Sequence, residues 1–257
     1  MNYTYLQMGD NLPAVGVLQK LLNRSGARLS PDGAFGPRTR DAVMQFQRQR
    51  QLSADGVVGA DTWPRISSGA TLPIVDCIDV WDPSLFQLEA GDIQGAGGTP
   101  ILIGGMCNGV EQAVQQIVGM ARNAFLLRFH GHGAPGIASV ATGQGEVDPN
   151  TNERSDIALK NLEQIRPFIR SMRGIFGPYG CVQFMHCETG RGHSGRQLLH
   201  EIALDLGVPV TAAIREQLGG GLSTFRFEGP TVTAFPGAGS LRTWSNALPD
   251  FTAYSPS

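Results

Sequence analysis

Near the start of the chain, apolar residues recur at intervals of three and four, at Val15, Leu18, Leu21 and Leu22 and again at Val43, Phe46 and Leu52. That spacing predicts two amphipathic helices. Gly26 is placed to stop the first and Pro37 to start the second. Two similar phrases follow the helical patterns, PDGAFGPRT from Pro31 and ADGVVGADTW from Ala54. Asp-Gly favours a tight turn, and the Thr of each phrase is an expected cap for the helix after it. The pattern predicts a small all-α, three-helix domain over residues 1–66. A linker of small residues is expected over 67–72.

From residue 73 to 257 the pattern changes. Short continuous apolar runs, PIVDCIDVW, AFLLRF, GCVQFM and VPVTAAI, read as strands. They alternate with the helical patterns GVEQAVQQIVGMARN, DIALKNLEQIRPFIRSMR and GRQLLHEIALDLG. In the second of these, Ser155 is the expected cap and Pro167 an expected kink or break. STFRFEG and TVTAFPG are expected to form a hairpin around Gly229-Pro230. Strands alternating with helices predict an α/β domain with a mostly parallel sheet covered by helices on both faces.

Composition narrows the function. The 257 residues carry a formal net charge of -2, which calls for neither nucleic acid nor an anionic membrane. No run approaches the roughly 18 apolar residues of a spanning helix. Cys77, Cys107, Cys181 and Cys187 are widely spaced with no CxxC, so unpaired thiols are expected. The N-terminus lacks a basic start followed by an apolar run, so no secretory leader is read there, and localisation stays open.

Two strands end in reactive residues. AFLLRF runs into His130-Gly131-His132-Gly133, and GCVQFM runs into His186-Cys187. Ligands of open parallel sheets bind beyond the carboxyl ends of the strands. If these two strands are neighbours, an imidazole and a thiol share one crevice, and an imidazole activates a thiol as a nucleophile. The adjoining glycines let a substrate approach and leave backbone N–H groups for an oxyanion. Two other readings stand beside this one. Cys187 is also consistent with a buried packing thiol. A zinc site is the other, with His130 and His132 on one strand face and His186, Cys187 and His193 as further donors. Glu146, Asp148 or Glu188 would then supply a carboxylate.

Two resemblances sharpen the expectation. LQMGD, AVGVLQKLLN, DGAFGPRTRDAVMQFQ and DGVVGADTW, in that order, resemble the peptidoglycan-binding domain found beside many cell-wall hydrolases. This implies a bacterial wall-targeting module with peptidoglycan as partner. LLRFHGHGAPG and VQFMHCETG resemble the caspase-like superfamily of cysteine peptidases, which includes caspases, gingipains and separases. There the histidine precedes the cysteine, and here His132 precedes Cys187 by 55 residues. The resemblance implies a His132–Cys187 dyad and an oxyanion hole from the N–H groups of Gly133 and Cys187. His130 and His186 would be supporting neighbours. It implies no cofactor and no metal, and a peptide or protein substrate. The chain departs from the caspase pattern around the nucleophile, with Met185-His186-Cys187-Glu188 in place of Gln-Ala-Cys. A zinc peptidoglycan amidase and a noncatalytic wall-binding scaffold are the alternatives.

Overall fold

A computed structural model describes residues 2–104, 109–140 and 154–252. Cys107, Glu146 and Asp148 lie outside the described residues. The chain forms two compact units, Met1–Leu72 with Gly239–Ser257, and Pro73–Ala238.

In the first unit, α1 (Pro13–Arg24), α2 (Pro37–Gln49) and α3 (Thr62–Ile66) pack around Leu18, Leu21, Leu22, Val43, Phe46, Trp63 and Ile66. Proline at the first position starts both longer helices, where its missing N–H costs nothing. The Asp-Gly turns are held by buried glutamines. Gln19 donates to Asp32, the Ala34 carbonyl and Thr39, and accepts from the Asp32 and Gly33 amides. Gln47 repeats this with Asp55, Val57, Thr62 and Gly56. Gly33 and Gly56 sit at φ +74° and +77°, where a side chain would strain the turn. Thr39 and Thr62 therefore do not cap. They lie inside their helices and receive the glutamine hydrogen bond, and the cap positions are Gly36 and Asp61.

The second unit runs β1 (Ile74–Asp79), α4 (Pro83–Gly95), β2 (Ile101–Ile103), α5 (Gly109–Met120) and β3 (Ala124–His130). A small hairpin, β4 (Gly133–Ala134) and β5 (Ile137–Ser139), follows, and β5 also pairs with β6 (Asp156–Ala158). Then come α6 (Leu162–Ser171), β7 (Phe176–Met185), α7 (Gly192–Leu206), β8 (Val210–Ala213) and β9 (Thr231–Ala234). The main sheet has the order β2-β1-β3-β7-β8-β9, parallel throughout except for the β8–β9 pair. This is a mixed α/β architecture with a largely parallel sheet. The order reverses between β1 and β3, the position at which such sheets open a crevice.

Three local expectations are corrected. Ser155 does not cap a helix, because Asp156–Ala158 pairs as β6 and α6 begins only at Leu162. Pro167 lies within α6 without ending it. STFRFEG is not a strand; Phe225 and Phe227 are buried as plugs, and β9 pairs with β8 instead. The last helix, α8 (Leu241–Ala247), belongs to the first unit, where Ser245 meets Gly16 of α1. The segment from Gly239, read by sequence as part of the α/β domain, thus packs with the helical unit.

The two faces of the main sheet differ. Leu127, Phe129, Val182, Phe184, Val210 and Ala212 face α5, α6 and α7 in one apolar core. The other face carries Asp76, Arg128, His130, Gln183 and Thr211, all buried, beneath α4. Arg128 Nε donates to Asp76 Oδ1 at 2.5 Å, and His130 Nε2 lies 3.1 Å from the same oxygen. His130 Nδ1 lies 3.7 Å from Glu89 of α4, and the Arg128 guanidinium stacks on Phe225. Burial opposes charge on Asp76, but Arg128 and His130 together hold its carboxyl well below the usual carboxylate range. Burial likewise pulls His130 down, yet Glu89 and Asp76 outweigh it and raise its pKa.

Two outcomes are expected. His130 contributes stability in full below its ordinary pKa of 6.5 and loses it as pH rises through its raised value in the fold. Urea midpoints of the wild type should therefore fall as pH rises above 6.5, and His130→Gln should flatten that limb; an unchanged slope in the variant would show that His130 does not titrate in this way. Second, a Cβ at Gly16 would stand 2.3 Å from Ser245 Oγ. Gly16→Val should lower stability by about 1–3 kcal/mol through overpacking, read by thermal unfolding.

Candidate functional site

The carboxyl ends of β1, β3 and β7 lie side by side, with His130 in register with Ile78 on one side and Met185 on the other. Alternate residues of a strand share a face. His130 and Met185 are the last paired couple of β3 and β7, and His132 and Cys187 each follow two residues beyond it. The hairpin β4–β5 then closes over the loop after β7. The Ser139 amide donates to the His132 carbonyl at 3.0 Å, and the Gly136 amide to the Thr189 carbonyl at 3.0 Å. Thr189 Oγ1 donates to the Ile137 carbonyl at 2.7 Å. At Gly133, a Cβ would stand 2.6 Å from Thr189 Oγ1 and 2.8 Å from the Cys187 carbonyl oxygen. Only glycine lets the His-Gly segment lie directly on the cysteine loop.

The three nearby histidines have different surroundings. His186 is wholly buried, and its Nε2 donates to the Ser139 carbonyl at 2.8 Å. Burial lowers its pKa to about 3 despite that bond, so it is a neutral pin between β7 and β5. His130 is engaged by Asp76 and Glu89 beneath the surface. The His132 side chain is 45% exposed, with Nε2 3.5 Å from Asp82 Oδ2. Its ring meets the edge of Trp81, the centroids 5.0 Å apart. Asp82 caps α4 by accepting from the Ser84 and Leu85 amides. The Ser84 hydroxyl, followed by the Leu85 amide, lowers its pKa.

Cys187 is a half-buried free thiol. Its Sγ donates to the Gln217 carbonyl at 3.5 Å and accepts from the Gln217 amide at 3.3 Å. Both hydrogen bonds run to the segment after β8, not to an imidazole. The next residue, Glu188, has φ +54°, an uncommon conformation for a non-glycine residue. The Glu188 amide donates to the Arg215 carbonyl at 3.0 Å, and its carboxylate pairs with Arg191. Cys77 and Cys181 are sealed in the sheet, and burial pushes the Cys181 thiol up to about 12. His193 and His200 are exposed on α7. Among the described residues, no three His, Cys, Asp or Glu side chains are grouped to hold a metal.

Trp81, Asp82 and Gln217 were not singled out by sequence reasoning. Asp82 carried a readable signal, since Asp followed by Pro83 marks a helix start, but nothing local links that cap to a histidine 50 residues later. Gln217 gave no signal, because its role comes from backbone atoms.

Residues 11–66 match the peptidoglycan binding domain family. An uncharacterized protein of Kitasatospora aureofaciens is 42% identical over 74 residues, which are 27% of this chain and 63% of that protein. A zinc D-Ala-D-Ala carboxypeptidase of Streptomyces albus G is 48% identical over 42 residues, 16% of either chain. The chain spans less than two thirds of the length of both curated relatives. Among solved structures, a peptidoglycan-binding protein of Clostridioides difficile in complex with glutamine hydroxamate is 34% identical. That match covers 24% of this chain and 39% of the other, with a TM-score of 0.24. A Burkholderia AP3 phage endolysin is 30% identical, with 48% and 40% covered and a TM-score of 0.26. No helix among the described residues is long and apolar enough to cross a membrane. The helical unit carries, over residues 11–66, the match to a peptidoglycan binding domain.

Proposed function

We propose that the chain is a wall-directed cysteine hydrolase, a peptidase of caspase-like type, in which His132 is the base and Cys187 the nucleophile. The observation that carries this reading is the parallel β3–β7 pairing that ends at His130 and Met185, so that His132 and Cys187 each follow by two residues at the carboxyl ends of neighbouring strands, next to the switch point between β1 and β3. The backbone contact between Gly133 and Cys187 supports it. So does the left-handed Glu188, since uncommon backbone conformations cluster at functional sites.

The proposed reaction follows from these groups. Asp82, on the Nε2 side of His132, fixes the ring, so Nδ1 takes the thiol proton. The proton leaves the Gln217 carbonyl, and the Gln217 amide remains to hold the thiolate. Sulfur attacks a substrate carbonyl, and the amides of Gly133 and Cys187 take the oxyanion. The imidazolium protonates the leaving amine, and water activated by His132 releases the acyl group. The wall-binding unit concentrates this chemistry on peptidoglycan, where wall peptides and nearby proteins are the available substrates.

Cys187→Ala should abolish both labelling by an electrophilic peptide and release of peptide from sacculi, without changing the unfolding midpoint. His132→Ala should slow labelling by roughly 10²–10⁴-fold, the usual contribution of a positioned acid–base group. Cys181→Ala should label as wild type. Hydrolysis retained in Cys187→Ala would overturn the mechanism. On the same sacculi the full chain should pellet and the fragment 73–238 should not, and equal pelleting would remove the targeting role.

A further inference from the structure

The two Asp-Gly phrases of the helical unit are parts of a longer repeat. RLSPDGAFGPRT, 28–39, and QLSADGVVGADT, 51–62, share Leu, Ser, Asp, two Gly and Thr at equivalent places. Each is held by its own buried glutamine, Gln19 or Gln47, through the same set of partners. The copies keep what the framework needs and differ in what they present to a ligand. Arg28 and Arg38 of the first copy stand where the second has Gln51 and Asp61. Counting Arg28, Asp32 and Arg38 against Asp55 and Asp61, the first segment has a charge of +1 and the second of -2.

The space around the copies differs too. A Cβ at Gly36 would meet nothing within 4 Å, whereas at the equivalent Gly59 it would lie 3.5 Å from the Tyr5 ring. The first copy instead borders a cavity of about 430 Å³, whose lining includes Gln19, Arg28, Ser30, Asp32, Gly36 and Arg38. Gln19 spends its amide on the turn, and Asp32 Oδ1 takes Gln19 Nε2 and the Ala34 amide. Arg28 and Arg38 are exposed and have no ion-pair partner among the described residues. No aromatic ring lines the cavity to stack on a sugar. Two guanidinium groups at one cavity are suited to a carboxylate, which they bind through paired N–H donors.

We propose that this cavity binds a carboxylate of the peptide stems of peptidoglycan, held by Arg28 and Arg38, and that the second copy is its structural counterpart without that site. The inference rests on the peptidoglycan-binding function of the unit and specifies the part of the polymer that is read.

The test is pelleting of the full chain at 4 °C with sacculi stripped of teichoic acid, so that wall phosphate is absent. The sacculi are used either with free carboxylates or with carboxylates capped as neutral amides. Capping should weaken wild-type binding about tenfold, the scale of one charge-assisted contact, and Arg28→Gln/Arg38→Gln should do the same on free sacculi. Capping should then have no further effect on the double variant, because both changes remove one interaction. Asp61→Asn should bind as wild type, and circular dichroism melts should be alike for all. Wild-type binding of free sacculi by the double variant overturns the inference while leaving peptidoglycan binding intact. So does a loss in the double variant that is equal on free and capped sacculi, which places another group against the arginines. Failure of the wild type to pellet with either preparation would instead remove the peptidoglycan function itself, and the inference with it.

Discussion

Arg128 lies wholly inside the second unit, and the burden of burying its charge organises one face of the sheet. A lone buried ion costs several kcal/mol, so partners must be supplied from the neighbouring strand and the covering helix. Asp76 faces Arg128 in strict register across β1 and β3 and takes its Nε. The same oxygen faces His130, whose other nitrogen turns to Glu89 of α4. The cluster therefore ties α4 to the strand that ends in the His-Gly motif. Asp82, the cap of that helix, then falls beside His132. Buried charge balance in the sheet and the position of the candidate base are successive consequences of one arrangement.

The cysteine side is set by a different constraint. His186 points to the apolar face and is kept neutral by burial, so its single donated hydrogen bond to Ser139 joins β7 to the hairpin. Thr189 adds two more bonds to that hairpin. The loop carrying Cys187 is thus anchored on both sides of the thiol, while the thiol itself remains half-buried against Gln217. His186 thus serves the fold, while the neighbouring Cys187 is the nucleophile of the proposed reaction.

The elements that carry the fold were legible where their periodicity was long. The α1, α2, α5 and α7 patterns and the strands β1, β3, β7 and β8 stand where the apolar spacing predicts them. Short or mixed elements were not legible. β2 has only three residues, and α4 presents a weakly amphipathic surface because its buried positions include Glu89. The sequence STFRFEG alternates like a strand because Phe225 and Phe227 plug the polar face. At the site, the His-Gly and His-Cys ends were readable as strand termini. What the sequence did not show was which histidine is free. His130 and His132 are chemically identical in the string, and only the packing of Asp76 and Glu89 around the first distinguishes them. Equally, the Gln–Asp–Thr clasp that repeats in the helical unit became visible only when Gln19 and Gln47 were placed.

The central claim is that Cys187 carries the acyl group of the substrate during turnover. Its most direct measurement is intact-protein and peptide-level mass spectrometry after acid quenching of the wild type reacting with soluble wall peptides or a peptide ester library. The account expects a transient acyl adduct on the peptide containing Cys187, present in wild type and formed far more slowly when His132 is replaced. Turnover with no adduct at any time point, or an adduct on Cys77, Cys181 or another residue with Cys187 unmodified, would contradict it.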